Sequence, residues 1–422
     1  LQEYIFMLMV TLETILLVLF NYHLLFHKNY FFFMRRRLLL GGVKYVFSAA
    51  TSVSIGNTSG VSSFPITSTD NGQNIGYTVV SYDGPVTAVT TAATYFTIEY
   101  SENPVFSDRN GSVVLKQNES QEVLTISVTQ AAQEVRFTNN MIILDGSNGS
   151  TGYVQTNCGN NVHFYDTVAT KFVTGDTSTS DGRFIVTATS ANNTSQCRAT
   201  RVYLHVNGDI RNYLIGVIQL PSSFPTIDGY QYTDAFGLKW AIKNVGASSM
   251  SDPGKYYVWG AGSTEYVVHG QNDNFYTEMA DLPSDRDTAT QVMGGGWRMP
   301  TKEEIDALTD SAYSIFSNAY IRKANYNGTY GTVFYDGTNE QKEMTEVGNC
   351  LFFPDGWYES RYADAYRDDP YFWSKNYFND SLSRAYIYGG TTPGPSWMHS
   401  GGITSATYRN NGLHVRGVFT NN

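Results

Sequence analysis

Residues 123–129 (Val-Leu-Thr-Ile-Ser-Val-Thr) alternate apolar and polar side chains at period two. That pattern predicts a strand with Leu124, Ile126 and Val128 turned inward and the hydroxyl residues outward. The same pattern returns further on. Residues 95–130 and 184–219 align without a gap at a fixed offset of 89. Tyr95-Phe96-Thr97-Ile98 lies over Phe184-Ile185-Val186-Thr187, Ser101 over Ser190, Asn103 over Asn192 and Arg109 over Arg198. Val113 matches Val202, Leu115 matches Leu204, Asn118 matches Asn207 and Gln130 matches Gln219. Phe47 and Phe137 stand 90 apart, consistent with one inserted loop residue. Asp108-Arg109-Asn110-Gly111 and Asn207-Gly208-Asp209 supply turns, Asn-Gly being a strong hairpin signal. A repeat of this length is too long for a solenoid unit and matches a whole β-sandwich. The reading is therefore two sandwiches in tandem, residues 45–133 and 134–221, with Pro221–Thr226 as a short stiff linker into a last domain at 222–422.

A helical pattern appears later. Gly294-Gly295-Gly296 makes a tight turn before Trp297-Arg298-Met299-Pro300, and Thr301 with Glu304 forms a capping box that opens a helix. Pro300 bars a helical approach, while Ile305 and Leu308 provide the inward face. Trp297, Arg298, Pro300, Thr301 and Glu304 thus read as a structural joint rather than a reacting centre.

The amino-terminal pattern differs again. Residues 5–20 are almost continuously apolar, but Glu13 falls in the middle, where a carboxylate costs roughly 2.5–3.5 kcal/mol on insertion scales. Residues 1–33 are accordingly expected to be upstream sequence with Met34 as the start, the other reading being a membrane anchor. Residues 34–44 form a basic start that imitates a signal peptide until Lys44 cuts its apolar run short.

Composition narrows the function classes. Aromatics make up 14% and charged residues only 16%, with 31 Tyr and 38 Gly, which suits short strands, polar turns and aromatic surfaces. A formal net charge of −10 provides no footprint for nucleic acid, whose binding leans on Lys and Arg. Three Cys are too few for a disulfide framework. Cys158 and Cys197 fall in one expected domain and either pair or stay as buried thiols; Cys350, in an apolar run, reads as core.

Enzyme motifs are missing. The sequence has no Gly-x-Ser-x-Gly elbow, phosphate-cradling loop or His-Glu-x-x-His helix, and its seven His are scattered. No metal and no cofactor is expected: the carboxylates at Asp281, Asp285, Asp287, Asp364, Asp368, Asp369 and Asp380 read as loop acids or helix caps, Asp287 in particular at a helix start. The carboxy-terminal loops are richer. Tyr377, Asn379, Asp380, Trp397, His399, Tyr408, Arg409 and Asn410 combine aromatic area with amides, the side-chain mix that binding loops favour. They are the expected ligand contacts. Tyr386 and Tyr388, two apart in a strand-like run, are expected to be half-core.

Two resemblances sharpen this picture. Gly237-Leu238-Lys239-Trp240-Ala241-Ile242, Gly254-Lys255-Tyr256-Tyr257-Val258-Trp259-Gly260, the Gly294–Glu304 joint, Asn349–Tyr358, Tyr371-Phe372-Trp373-Ser374 and Gly412-Leu413-His414-Val415-Arg416-Gly417-Val418 occur in an order that resembles the Fibrobacter succinogenes major paralogous domain. This is a C-type-lectin-like family of Bacteroidetes and their phages. It implies two helices and a twisted sheet with long loops that display a binding surface, with Trp240, Trp259, Trp373, Val415 and Arg416 as structural positions. The calcium-binding triplets of sugar-binding lectins are missing, and Tyr377-Phe378-Asn379-Asp380 is only a partial echo of them. The closing Thr-Ile-Ser-Val-Thr-Gln of the first repeat resembles the BACON family of immunoglobulin-like modules.

The expected fold is therefore mostly β: two tandem immunoglobulin-like sandwiches followed by an α+β C-type-lectin-like domain. The expected function is non-enzymatic adhesion or receptor binding, as a tail or head-fibre component of a crAss-like phage touching a host surface glycan or protein. A bacterial cell-surface adhesin or carbohydrate-binding protein, and a virion decoration without a specific ligand, are the alternatives. Each implies an extracellular location, on a virion or a bacterial surface, and admits a homo-oligomeric fibre.

Overall fold

The computed structural model describes residues 45–165, 172–266, 275–311, 323–335, 346–360, 363–378, 384–389 and 404–421. The expectations for residues 1–33 and 34–44 lie outside these. The chain is mostly β and divides into two compact units, Leu1–Glu134 and Val135–Asn422.

The first unit is a two-sheet β-sandwich. One sheet runs β1 (Tyr45–Ala49), β3 (Gly60–Asp70), β7 (Tyr95–Tyr100) and β6 (Val86–Thr91), with the short β4 (Gln73–Asn74) on β3. The other runs β2 (Ser52–Ile55), β9 (Val123–Gln130), β8 (Arg109–Gln117) and β5 (Tyr77–Tyr82). All pairs are antiparallel except β2 on β9. Phe47, Ile66, Phe96 and Ile98 of one sheet meet Val53, Val113, Leu115, Ile126 and Val128 of the other in a single core. Ile126 and Val128 are fully buried, whereas Leu124, nearer the strand's start, is only half-buried.

The repeat survives in the second unit as pairing. β10 (Met141–Leu144) lies parallel to β16 (Asn212–Gln219) with Met141 opposite Gly216, as Ser52 is opposite Ser127. Strand β15 (Cys197–Val206) pairs Arg198 with Gln219, as β8 and β9 pair Arg109 with Gln130. Repeated polar residues do matching work. Asn103 Nδ2 donates to the carbonyls of Ser107 (2.9 Å) and Ala131 (2.8 Å), and its Oδ1 accepts from Val105 N. Asn192 Nδ2 donates to Gln196 (2.8 Å) and Leu220 (3.1 Å), and its Oδ1 accepts from Thr194 N. Gln130 and Gln219 likewise donate to Ser101 and Ser190. Each amide satisfies buried backbone groups that a sandwich rim would otherwise strand.

One part of the ungapped alignment is corrected. In β14 (Arg183–Ala188) Phe184 and Val186 are buried, so they occupy the places of Phe96 and Ile98, not Tyr95 and Thr97. A one-residue slip in a strand swaps its two faces, and the core decides the phase. One extra residue before Ser190 restores the offset.

The larger correction concerns the boundary at residue 221. The second repeat does not close as a separate sandwich. Its sheet, β12 (Val162–Phe164), β15, β16 and β10, continues through a parallel contact into β21 (Lys323–Tyr326), then β22 (Thr329–Tyr335) and β24 (Cys350–Pro354). Strand β23 (Glu346–Gly348), one residue before β24, then pairs with β15. The ring closes on itself. Met141, Ile143, Ala199, Ile218, Val333 and Phe352 fill it, so chain from both sides of residue 221 builds one core. The expected linker is anchored at its start, where Pro221 is buried and Ser222 N donates to Asn192 O at 2.9 Å, and by Phe224, which packs against the same core; Ser223, Pro225 and Thr226 are exposed. A three-stranded sheet, β11 (Thr151–Gln155), β14 and β13 (Val173–Gly175), completes the repeat.

The rest of this unit is a five-stranded sheet, β17 (Thr226–Ile227), β18 (Tyr230–Ala235), β19 (Leu238–Asn244), β30 (Arg416–Phe419) and β20 (Trp297–Arg298), with a hairpin of β25 (Gly356–Ser360) and β26 (Ala363–Asp369). Helix α1 (Thr288–Met293) is capped by Asp287, which accepts from Thr290 N at 3.0 Å and from Met299 N at 2.9 Å. Gly294, with φ 71°, ends it. Helix α2 (Lys302–Ser311) opens on reciprocal bonds, Glu304 N to Thr301 Oγ1 at 3.2 Å and Thr301 N to Glu304 Oε2 at 2.8 Å. Arg298 grips the same carboxylate, and Pro300 is buried beside it. Trp240, Trp259, Trp297, Trp373 and Val415 are essentially inaccessible.

Candidate functional site

Of the expected contacts, Tyr377, Tyr408, Arg409 and Asn410 stand in or directly after the strands of a three-stranded antiparallel sheet, β27 (Tyr371–Tyr377), β28 (Arg384–Gly389) and β29 (Thr404–Tyr408). Its register pairs Tyr377 with Ala385 and Arg384 with Tyr408, so Tyr377 and Tyr408 share one end of the sheet. Asn379, Asp380, Trp397 and His399 lie outside the described residues.

Arg409 corrects the expectation. Grouped with the exposed loop residues, it is fully buried, with its guanidinium 4.4 Å over the Trp259 ring and Nη1 donating to the carbonyls of Tyr276 (2.8 Å) and Glu278 (2.9 Å). Burial holds its pKa below the usual arginine value. Trp259 returns two bonds, from its backbone N to Arg409 O and from Nε1 to Ser374 O. Arg409 is a footing, and Tyr408 immediately before it is 52% exposed. Asn410 is half-buried in the following turn, which Asn411 N closes onto Tyr408 O at 3.0 Å.

Tyr377 is only half-exposed and packs against the core that holds Trp259 and Trp373. Its backbone N donates to Asp281 Oδ1 at 3.3 Å. Asn376 joins three elements: Nδ2 donates to Asp281 at 2.9 Å, and Oδ1 accepts from Lys302 N at the start of α2 at 2.6 Å. Lys302 in turn stands 5.5 Å from the Tyr386 ring, which meets Phe378 edge-on at 5.0 Å. Tyr386 is half-buried; the Tyr388 side chain lies outside the described residues. Asp281 is thus spent on positioning the strand end. Among the described residues no group of three or more His, Cys, Asp or Glu converges as metal ligands would.

Two further polar groups of this unit are wholly buried. Arg416 donates to Asn244 Oδ1 (2.7 Å), Ala241 O (2.9 Å) and Phe352 O (3.0 Å) and lies 4.2 Å over the Phe353 ring; burial lowers its pKa to about 9. His414 is sealed under Tyr256, their ring centroids 4.4 Å apart, and burial lowers its pKa to about 4.

A second concavity went unread in the sequence. A cavity of about 320 Å³ is lined by Thr151, Tyr153, Arg183, Asn325 and Asn327 among others. The Arg183 guanidinium lies 5.7 Å from the Tyr153 ring, and the buried Asn325 Nδ2 finds no hydrogen-bond partner among the described residues. Its walls come from sequence positions some 170 residues apart, which no local pattern connects.

No known protein family matches the chain, and no characterised protein sequence is similar to it. Solved structures show only faint likeness. A protein from Bacteroides thetaiotaomicron solved by NMR is 11% identical over 24% of this chain and 98% of its own, with a TM-score of 0.18. An endo-fucoidan hydrolase of glycoside hydrolase family 107 is 10% identical over 45% of this chain, which spans 30% of that enzyme, with a TM-score of 0.20. Chicken VE-cadherin EC1-2 is 9% identical over 41% of this chain and 98% of its own, also at 0.20. Likeness at this level identifies no activity.

Proposed function

We propose that this is a non-enzymatic adhesion or receptor-binding protein whose contact surface lies at the Tyr377–Tyr408 end of the β27–β29 sheet. The partner is a glycan or protein of a bacterial cell surface. The carrying observation is an exposed Tyr408 set directly on a wholly buried Arg409. An aromatic held still by its foundation offers contact area at little entropic cost. In this reading the looped region after residue 222 is a C-type-lectin-like α+β arrangement, and the repeats before it are BACON-like supports. The setting is a Bacteroidetes phage particle; a bacterial surface adhesin uses the same surface in the same way.

The test is binding of the full chain to Bacteroidetes cells, compared with Tyr408→Ala/Asn410→Ala and, separately, Tyr153→Ala. The double variant should lose at least roughly tenfold in affinity, as expected for an aromatic hot spot, while its unfolding curve stays in place. Unchanged binding by that variant rejects the surface. Loss on Tyr153→Ala alone moves the site to the second cavity. A wild-type chain that binds no cells leaves the decoration reading in its place.

A further inference from the structure

The closure of the ring brings together two cysteines that the sequence keeps far apart. Cys197 opens β15 and stands opposite Gly348 of β23; Cys350 opens β24 two residues later. Their sulfurs are 2.9 Å apart and buried, although the residues are separated by 153 positions. Cys158 is elsewhere, its thiol directed at Asn157 Oδ1. The alternative of a Cys158–Cys197 pair is thereby replaced. Around the two sulfurs lie Met141, Ala199, Tyr326 and Phe352, an apolar setting with the side chains already facing each other.

We propose that Cys197 and Cys350 are a covalent cross-linking site, forming a disulfide that fastens the ring where it closes. The seam needs it. Among the described residues β23 meets β15 over three residue pairs, while β15 and β16 share eight. The chemistry is thiol–disulfide exchange with a small-molecule disulfide such as oxidised glutathione. One thiol gives up its proton and its thiolate attacks the reagent disulfide, releasing one thiolate and leaving a mixed disulfide. The second thiolate then attacks the protein sulfur of that mixed disulfide and expels the other. The protein pair loses two protons and two electrons, and the reagent becomes two thiols. Because both sulfurs end buried, exchange takes place before the seam shuts, and the finished bond is shielded.

The full chain is refolded with oxidised glutathione or with a reductant, quenched in acid, alkylated and digested with trypsin. Oxidised protein should yield peptides 184–198 and 343–361 joined, with Cys158 alone alkylated after denaturation; reduced protein should show three alkylated cysteines. Closing so long a loop should also raise the fluorescence-detected midpoint by roughly 5–10 °C. Three alkylated cysteines in the oxidised sample, or a link that includes Cys158, overturns the assignment. A joined pair with an unchanged midpoint overturns the fastening role.

Discussion

Acidification should destabilise the second unit through His414. The imidazole is 1% exposed; its Nδ1 donates to Lys255 O at 3.2 Å, and its Nε2 is buried without a partner among the described residues. A proton added at Nε2 meets no acceptor. A Cβ placed on Gly356 would stand only 2.2 Å from that nitrogen, so space is tight too. Burial is the main reason the pKa falls from 6.5 to about 4; Lys255 O opposes the shift, Arg416 reinforces it and Asp252 opposes it. Between those two values the unfolded chain binds the proton and the folded chain does not, so stability falls as pH falls. The contribution is whole above pH 6.5 and is lost by pH 4. At 1.36 kcal/mol per unit the complete loss is about 3 kcal/mol, of which about 2 kcal/mol has gone at pH 5. Tryptophan fluorescence in a urea titration reads this unit alone, because all six Trp lie between residues 240 and 397. Other groups titrate as well: the Asp287 carboxyl, raised by burial, works in the opposite direction. The quantity to compare is therefore the pH 7 to pH 5 change in wild type minus that in His414→Gln. A difference near zero refutes the reasoning.

The repeated amides should behave as equivalents. Asn103→Ala removes the side-chain bonds of three backbone groups and Asn192→Ala those of four; each should cost about 2–3 kcal/mol in its own unit, circular dichroism reading the first and fluorescence the second. At the joint, Glu304→Ala removes the carboxylate half of the cap and the Arg298 pairing together while leaving the residue 304 N–H on Thr301 Oγ1, for about 1–2 kcal/mol. Arg298→Ala in the same background should then add less than it does alone, and full additivity in a double-mutant cycle would count against a shared unit.

What was legible in the sequence was local. The alternation in Val123–Gln130, the cap spanning Thr301 to Glu304 and the glycine turn after Met293 each involve a few neighbouring residues and one physical rule. The repeat was legible because Asn103 and Gln130 have counterparts with the same backbone duties. Those same polar matches hid the slip at Phe184, since they anchor the alignment on one side of it only. Arg409 was misread because arginine belongs at surfaces by default. Only tertiary structure shows that Trp259 roofs it and that two carbonyls of another loop receive it. The ring left no trace for a similar reason: a parallel contact between Met141 and Ala324 has no local signature.

That ring makes the apparent domain boundary a poor place to cut. A fragment starting at residue 222 keeps β21, β22 and β24 but loses β10, β15 and β16, and with them Met141, Ile143, Ile218 and Leu220 from the core. At about 1.5–3 kcal/mol for each large apolar side chain, this removes roughly 6–12 kcal/mol, comparable to the whole net stability of a domain. It also bares the backbone edge of β21 that β10 covers, and an unpaired strand edge recruits other chains. Residues 135–422 retain every one of these partners. Expressed side by side, the longer fragment should unfold cooperatively by tryptophan fluorescence, and the shorter should aggregate or melt without a transition. If residues 222–422 gave a soluble monomer with a cooperative transition, the carboxy-terminal strands would have a core of their own. The shared ring would then be an addition to that core rather than its foundation.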